Sequence, residues 1–313
     1  MNEHTKGFKL RSWGRLLRLP NLLTVPGDPL AGFLLVTRGN GSLLPGLWAA
    51  IASLCFYAAG LIINDLCDIE TDRKERPDRP LPSGQIRPLA AGAVALVLLG
   101  AGQAFCCMLD PQAWWMGFML VLTIFLYNIG VKNIPVIGPL TMGACRGLNV
   151  MLGASAVPTA EPLPAVLLLA VATMAGYIAA VTHIARREMA STAIGNERWI
   201  PAVVLVFGFA LLARIQVFGS ILSWVGFSGA FLLAGIVTLE VASMLEAASH
   251  PQQREFTPWM VPYMVGLLIS GLLLIQAGFI MVAGVGETGI PTGLILIGLW
   301  PLHRILDKRF HAS

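Results

Sequence analysis

Between Asn64 and Gly84 the sequence reads NDLCDIETDRKERPDRPLPSG, six acids and four basic residues directly after the apolar run 43–63. On a helix, at about 100° per residue, Asn64, Asp65, Asp68, Asp72 and Glu75 fall on one wedge, Glu70 falls opposite, and Pro77 ends the helix before Asp78 can join. Carboxylates side by side repel one another unless a cation neutralises them. Mg²⁺ is typically held by one or two carboxylates together with water and substrate phosphate. A solvated helix at a membrane boundary is the alternative, but ordinary charged loops seldom align their acids so narrowly. Arg73, Lys74, Arg76 and Arg79 follow within the same stretch, and guanidinium groups bind phosphate oxygens bidentately. Acids for a metal and arginines for the same ligand describe a diphosphate site; anchoring charge alone explains the sign of these residues but not their interleaving.

Two further polar residues lie where none is expected. Arg146 falls in the middle of an apolar stretch, with Asn149 one helical turn on. An ionisable residue inside a membrane segment is by default functional, and the other reading is an interhelical hydrogen-bonding pair that fixes packing. Arg214 is nearer a helix end, where its side chain snorkels. Cys55, Cys67, Cys106, Cys107 and Cys145 lie in or beside apolar stretches with no metal-ligand spacing and read as packing residues.

The elements that must position these groups follow from composition. The chain has 313 residues, 56% hydrophobic and 12% charged, with a mean hydropathy of +0.74, outside the range of a water-soluble domain. Stretches long enough to cross a hydrocarbon core, roughly 17–25 residues each, lie at about 22–37, 43–63, 88–109, 112–130, 135–156, 163–185, 200–217, 221–246, 259–284 and 288–306. The first is interrupted by Pro26, Gly27 and Asp28, and the last carries Pro291 and Pro301. No strand-like alternation is present, so the predicted fold is all-α, a polytopic transmembrane helix bundle forming one domain over 1–313. Residues 8–20 mix Phe8, Leu10, Trp13, Leu16 and Leu17 with four Arg or Lys, as an interfacial helix does. With a cytoplasmic N-terminus, eighteen of the 21 basic residues fall in loops on that side, Arg38 falls opposite, and Arg146 and Arg214 are within spans. That division predicts both termini in the cytoplasm and puts 64–87 on the cytoplasmic face. No cleavable signal is expected at the N-terminus.

These residues carry a resemblance. Asn64, Asp65, Asp68 and Asp72 in the pattern Asn-Asp-x-x-Asp-x-x-x-Asp, followed by RPLPSG at Arg79 to Gly84, resemble the UbiA superfamily of intramembrane prenyltransferases. RLPN at Arg18 to Asn21 is similar to that family's basic residue ahead of the first span, and LYNIGVKNIPVIGPL at 126–140 to its Tyr-x-x-x-Lys/Arg stretch after the fourth. The resemblance implies nine family helices plus a tenth, an aspartate motif binding Mg²⁺ and a polyprenyl diphosphate, ionisation to an allylic cation, and capture by an acceptor. Carried onto this chain, Asn64, Asp68 and Asp72 are the expected metal ligands, with Asp65, Lys132 and Arg146 catalytic. Arg18, Arg76, Arg79 and Asn149 are expected at the substrate.

The family's second motif, Asp-x-x-x-Asp after the sixth span, has no acidic counterpart in VTHIARREMASTAIGN, 181–196, where the expected positions hold Arg187 and Ser191. Glu188 is the nearby carboxylate, and Arg186 or Arg187 would substitute charge for a metal. His183 is an acceptor-binding residue, a base or an ordinary satisfied side chain; with Arg186, Arg187 and Glu188 it joins the expected substrate-binding set. RGLN at Arg146 to Asn149 resembles a divergent, EboC-like branch of the superfamily. The expected activity is therefore Mg²⁺-dependent transfer of a polyprenyl group to an unidentified small-molecule acceptor at the cytoplasmic face of a membrane, that of a bacterial inner membrane, without nucleic acid. The alternative is a transporter of an isoprenoid or pigment precursor on the same fold. Phosphoalcohol transfer is a third class, but its Asp-x-x-Asp-Gly-x-x-Ala-Arg motif is absent.

Overall fold

Each apolar stretch becomes a helix, because lipid offers backbone N–H and C=O groups no partner and every segment must satisfy its own. The computed structural model describes residues 11–158, 162–189, 195–215, 220–248, 260–283 and 288–310. Its long helices are α1 Gly27–Thr37, α2 Leu44–Cys67, α3 Pro88–Cys106, α4 Pro111–Ile129 and α5 Ile137–Ala154, then α6 Ala165–Met189, α7 Ile200–Ile215, α8 Ile221–Ala248, α9 Met260–Ala283 and α10 Gly289–Phe310. No strand occurs among the described residues. Nine described segments are long and apolar enough to cross a membrane, the first running from Leu19 to Thr37; α5, with Arg146 and Asn149, falls outside that set.

The first span is interrupted, but just ahead of the expected residues: Gly27 and Asp28 are already helical. A single turn Leu19–Leu22 precedes a break, and α1 begins only at Gly27, with Asp28 in its first turn. The last span continues through Pro301 as one helix.

α9 is the hub. It packs against α8, α10, α1 and α6, and α1 in turn packs on α5. Without a water-driven hydrophobic force between spans, close association depends on small residues that let backbones approach. At the α1–α5 contact a Cβ added to Gly32 would lie 1.8 Å from the Val150 carbonyl oxygen, and one added to Gly153 would lie 1.8 Å from that of Pro29. Polar ties add direction: the Tyr177 hydroxyl on α6 donates to the Leu268 carbonyl on α9 at 3.0 Å, and Trp300 Nε1 on α10 donates to Ser270 Oγ at 3.3 Å. The outward faces of α3, α4, α7 and α8 leave residues such as Leu96, Phe118, Phe207 and Leu232 exposed, as a surface solvated by lipid requires.

The segment expected to lie in the membrane interface is partly a lid on the protein. Residues 11–16 are helical, whereas 8–10 lie outside the described residues. Leu16 is buried against Ala59, Ile62, Leu81, Ile86 and Ala91 in a small second core, and Ser12 Oγ donates to Gln85 Oε1 at 2.7 Å. Its described apolar residues Trp13, Leu16 and Leu17 pack on this core, which includes Leu81 and Ile86 of the 79–86 loop, a placement that an amphipathic pattern alone does not distinguish from a membrane-facing one.

Candidate functional site

The chain alternates direction, so α2, α4 and α6 end, and α3 and α5 begin, at one end of the bundle. Arg18, Asn64, Asp65, Asp68, Asp72, Arg79 and Lys132 come together there. The helix carrying the acids is not continuous, contrary to the single wedge expected from the sequence. α2 stops at Cys67, Asp68 sits between helical segments with φ −93° and ψ 3°, and a short helix Ile69–Glu75 follows. The ladder survives the bend, since the Asp68 N–H donates to the Asn64 carbonyl at 3.0 Å and that of Asp72 to Asp68 at 2.8 Å. The bend accompanies the packing of Ile69 onto the second core. Asp65 and Asp72 are buried, Asp68 is half-buried and Glu75 is exposed, so Glu75 does not share the wedge.

Three carboxylates and the Asn64 amide form two pairs of oxygens, each converging on a cation. Lys132 Nζ lies 2.5 Å from Asp68 Oδ1 and 3.4 Å from Asn64 Oδ1. Arg79 Nη1 lies 2.7 Å from Asp72 Oδ2 and 3.8 Å from Asp65 Oδ1. Arg18 Nη2 approaches the same Asp65 Oδ1 at 3.5 Å. Local chemistry explains how these cations arrive. Arg79 is held by the turn after it, where Ser83 Oγ donates to the Arg79 carbonyl at 2.6 Å and Gly84 takes φ +74°, a conformation that favours glycine. Arg18 has left-handed backbone, φ 46° and ψ 57°, and so turns from the covering helix towards α2. Lys132 lies in the short helix Val131–Asn133 after Gly130, with one residue more between Tyr127 and Lys132 than the family stretch suggests.

No group of three or more His, Cys, Asp or Glu able to hold a metal occurs among the described residues. The donor set nevertheless fits Mg²⁺ in the manner expected when substrate phosphate and water complete the shell, since each convergent pair offers two oxygens, the number Mg²⁺ commonly takes from protein. Asn64 with Asp68, and Asp65 with Asp72, could hold it. Arg76 is exposed at the end of the short helix, where its N–H donates to the Asp72 carbonyl. It is not brought into either pair.

Arg146 is elsewhere. Its Nη1 lies 2.6 Å from Asp28 Oδ2, its Nη2 donates to Thr24 Oγ1 at 3.0 Å, and its guanidinium stacks over the Tyr57 ring at 5.3 Å. Gln276 Nε2 on α9 donates to Asp28 Oδ1 at 2.6 Å and to the Thr24 carbonyl at 2.7 Å. This buried network joins α1, α5 and α9, the interhelical packing arrangement that was the other reading of Arg146. Asn149 is likewise a helix tie, its Oδ1 accepting from Ser53 Oγ at 2.5 Å and its Nδ2 donating to the Cys145 carbonyl. The sequence reading missed Asp28, Thr24 and Gln276. An acid and a base on two different spans, each needing a partner in lipid, was the available signal.

At the end of α6 the Arg186 guanidinium donates to the Ile134 carbonyl at 2.9 Å and the Asn133 carbonyl at 3.0 Å, gripping the loop that carries Lys132 rather than the acids. His183 Nε2 faces Glu197 Oε2 at 3.3 Å. The side chains of Arg187 and Glu188 lie outside those described.

A model of the UbiA prenyltransferase family matches residues 29–261. Digeranylgeranylglyceryl phosphate synthase of Methanoculleus marisnigri is 30% identical over 239 residues, covering 74% of this chain and 84% of the relative. The enzyme of the same name from Methanopyrus kandleri is 24% identical, covering 80% of this chain and 82% of the relative. Among solved structures, a UbiA homolog from Archaeoglobus fulgidus bound to GPP and Mg²⁺ superposes with a TM-score of 0.64 at 16% identity, covering 92% of this chain and 99% of that one. A solved digeranylgeranylglyceryl phosphate synthase gives 0.57 at 21% identity, over 87% and 98% of the two chains.

Proposed function

Since this chain belongs to the UbiA prenyltransferase family and is an integral membrane prenyltransferase, we propose that it moves a polyprenyl group from its diphosphate to a small-molecule acceptor, with Mg²⁺ required. The observation that carries this reading is the pair of cation-centred oxygen clusters at one end of the bundle, the Asn64 amide and Asp68 carboxylate on Lys132 and the Asp65 and Asp72 carboxylates on Arg79. Acids and bases that share one small, partly dry site are suited to a ligand carrying both metal and phosphate. The A. fulgidus homolog bound to GPP and Mg²⁺ supports the same ligand class.

The reaction breaks the bond between the first prenyl carbon and the diphosphate oxygen, and the electron pair leaves with diphosphate. Bound Mg²⁺ supplies charge neutralisation for that leaving group. Arg79, Lys132 and Arg18 exchange their carboxylate partners for phosphate oxygens, and preorganised donors in a water-poor site stabilise developing charge without reorganising. The allylic cation accepts a lone pair from the acceptor, which then releases a proton. The apolar tail stays in the bundle and lipid while the diphosphate stays near water, which accounts for a site at a helix end. We propose that this end is cytoplasmic, as the basic loops require, and that the membrane is the bacterial inner membrane.

The test incubates purified protein with Mg²⁺ and labelled polyprenyl diphosphates of several lengths. Acceptors are offered as a panel headed by a prenylglyceryl phosphate, the class named by the relatives, and including aromatic compounds and cell extract. Label passing into an acceptor, with diphosphate released and activity lost on chelation, is the expected result. Retained label with tight prenyl diphosphate binding would favour a carrier on the same fold.

A further inference from the structure

The loop between α4 and α5 is an unfavourable piece of backbone in a demanding place. Gly130 has φ +156° and Val136 φ +69°, the latter a conformation that β-branched residues rarely adopt and that persists only where surrounding structure fixes it. Between them lies Lys132, whose ammonium must reach Asp68 and Asn64 across the site. Two features hold this loop. Arg186 at the end of α6 donates both terminal nitrogens to the carbonyls of Asn133 and Ile134. Gly138 on the first turn of α5 leaves room beneath, since an added Cβ would lie 2.6 Å from the Lys132 carbonyl oxygen and 2.7 Å from Arg186 Nη1.

We infer that Arg186 is a positioning residue that acts through Lys132, holding the α4–α5 loop in the conformation that delivers the ammonium to Asn64 and Asp68. Gly138 shares the role by permitting the close approach. The inference rests on the proposed diphosphate site for its catalytic consequence, but not for the clamp. It also gives Arg186 a task different from gripping the leaving group: its guanidinium spends its charge on two backbone dipoles, and the charge it delivers to the site is that of Lys132. A guanidinium suits this use because its planar fork meets two neighbouring acceptors at once, which an ammonium does not do in fixed geometry.

Two measurements test it. Hydrogen exchange of the purified chain without substrate reads the clamp directly, because the amides of Asn133, Ile134 and Gly138 are bonded within the loop. Exchange over 131–138 should rise at least tenfold in Arg186→Ala, rise less in Arg186→Lys, and rise in Gly138→Ala, with the remaining helices unchanged. Unchanged exchange in Arg186→Ala would overturn the clamp, whatever the protein's substrate. Should Arg186→Ala not fold, Arg186→Lys and Gly138→Ala carry the same comparison. The second measurement is a double-mutant cycle on prenyl transfer with Lys132→Ala. Arg186→Ala should lower kcat/KM about tenfold in the wild-type background and less than twofold when Lys132 is already absent. Losses that multiply would place Arg186 on the substrate itself and sink the inference. If no prenyl acceptor is found, the exchange result still decides the clamp and the proposed function alone fails.

Discussion

Asp68 and Asp72 illustrate how little a shared motif says about individual partners. They are four residues apart, yet one turns to Lys132 from the α4–α5 loop and the other to Arg79 from the turn after the motif. Each convergent pair should therefore fail separately. Asp68→Ala and Asp72→Ala are both expected to lower Mg²⁺-dependent diphosphate affinity at least tenfold, a loss of about 1.4 kcal/mol or more, with the thermal midpoint retained. Calorimetric titration checks this, and unchanged affinity in either variant removes that residue from the metal site. Arg146 calls for the opposite outcome. Removing one partner of a buried ion pair leaves the other uncompensated at a cost of roughly 3–5 kcal/mol, so Arg146→Ala should lower the unfolding midpoint in detergent sharply. Asp28→Ala with Arg146→Ala should recover part of it. Normal stability but no turnover in Arg146→Ala would return the residue to the active site.

At the scale of elements, the α1–α5 contact positions the buried network and depends on two glycines. The atoms that would meet a new Cβ at Gly32 and Gly153 are backbone oxygens, so no rotamer change relieves the clash and the helices must separate. Gly153→Ala and Gly32→Ala are expected to destabilise by at least the ~1–3 kcal/mol typical of overpacking. A fall in thermal midpoint and in monodisperse yield checks this, with Gly229→Ala as the control because nothing lies near its Cβ position. The covering helix at 11–16 makes a similar point in a softer contact: Leu16 is an interfacial residue by pattern and a core residue by position.

For the whole molecule, the consequence is orientation. Ser42 and Ser83 are exposed and lie beyond opposite ends of α2. Single cysteines at these positions in a background lacking the native cysteines should separate cleanly: in intact cells an impermeant thiol reagent labels residue 42 and spares residue 83 until the membrane is opened. Labelling of residue 83 in intact cells would put the acidic site on the outer face, away from cytosolic prenyl diphosphate.

The sequence by itself determined the helical membrane fold and the family, and it marked out the candidate site. Those depend on local quantities: run length against bilayer thickness, the spacing of Asn64, Asp65, Asp68 and Asp72, and the turn chemistry of RPLPSG, in which Ser83 and Gly84 hold Arg79. Even the break before Gly27 was visible as an interruption, although Gly27 and Asp28, expected within it, open the helix. What tertiary structure alone decided was who faces whom. Arg146 reads as catalytic in one dimension because an unpaired charge in lipid demands a purpose, and the folded chain gives it a partner in Asp28, 118 residues before it, which Gln276, 130 residues after it, also holds. Arg186 reads as a phosphate ligand because it stands where the family's second acidic motif is missing, and only the folded chain brings the carbonyls of Asn133 and Ile134 to it. Charge and spacing are properties of the chain, whereas the partner that satisfies a charge is chosen by packing between distant segments, and on that choice rests whether a polar residue binds, positions or merely holds.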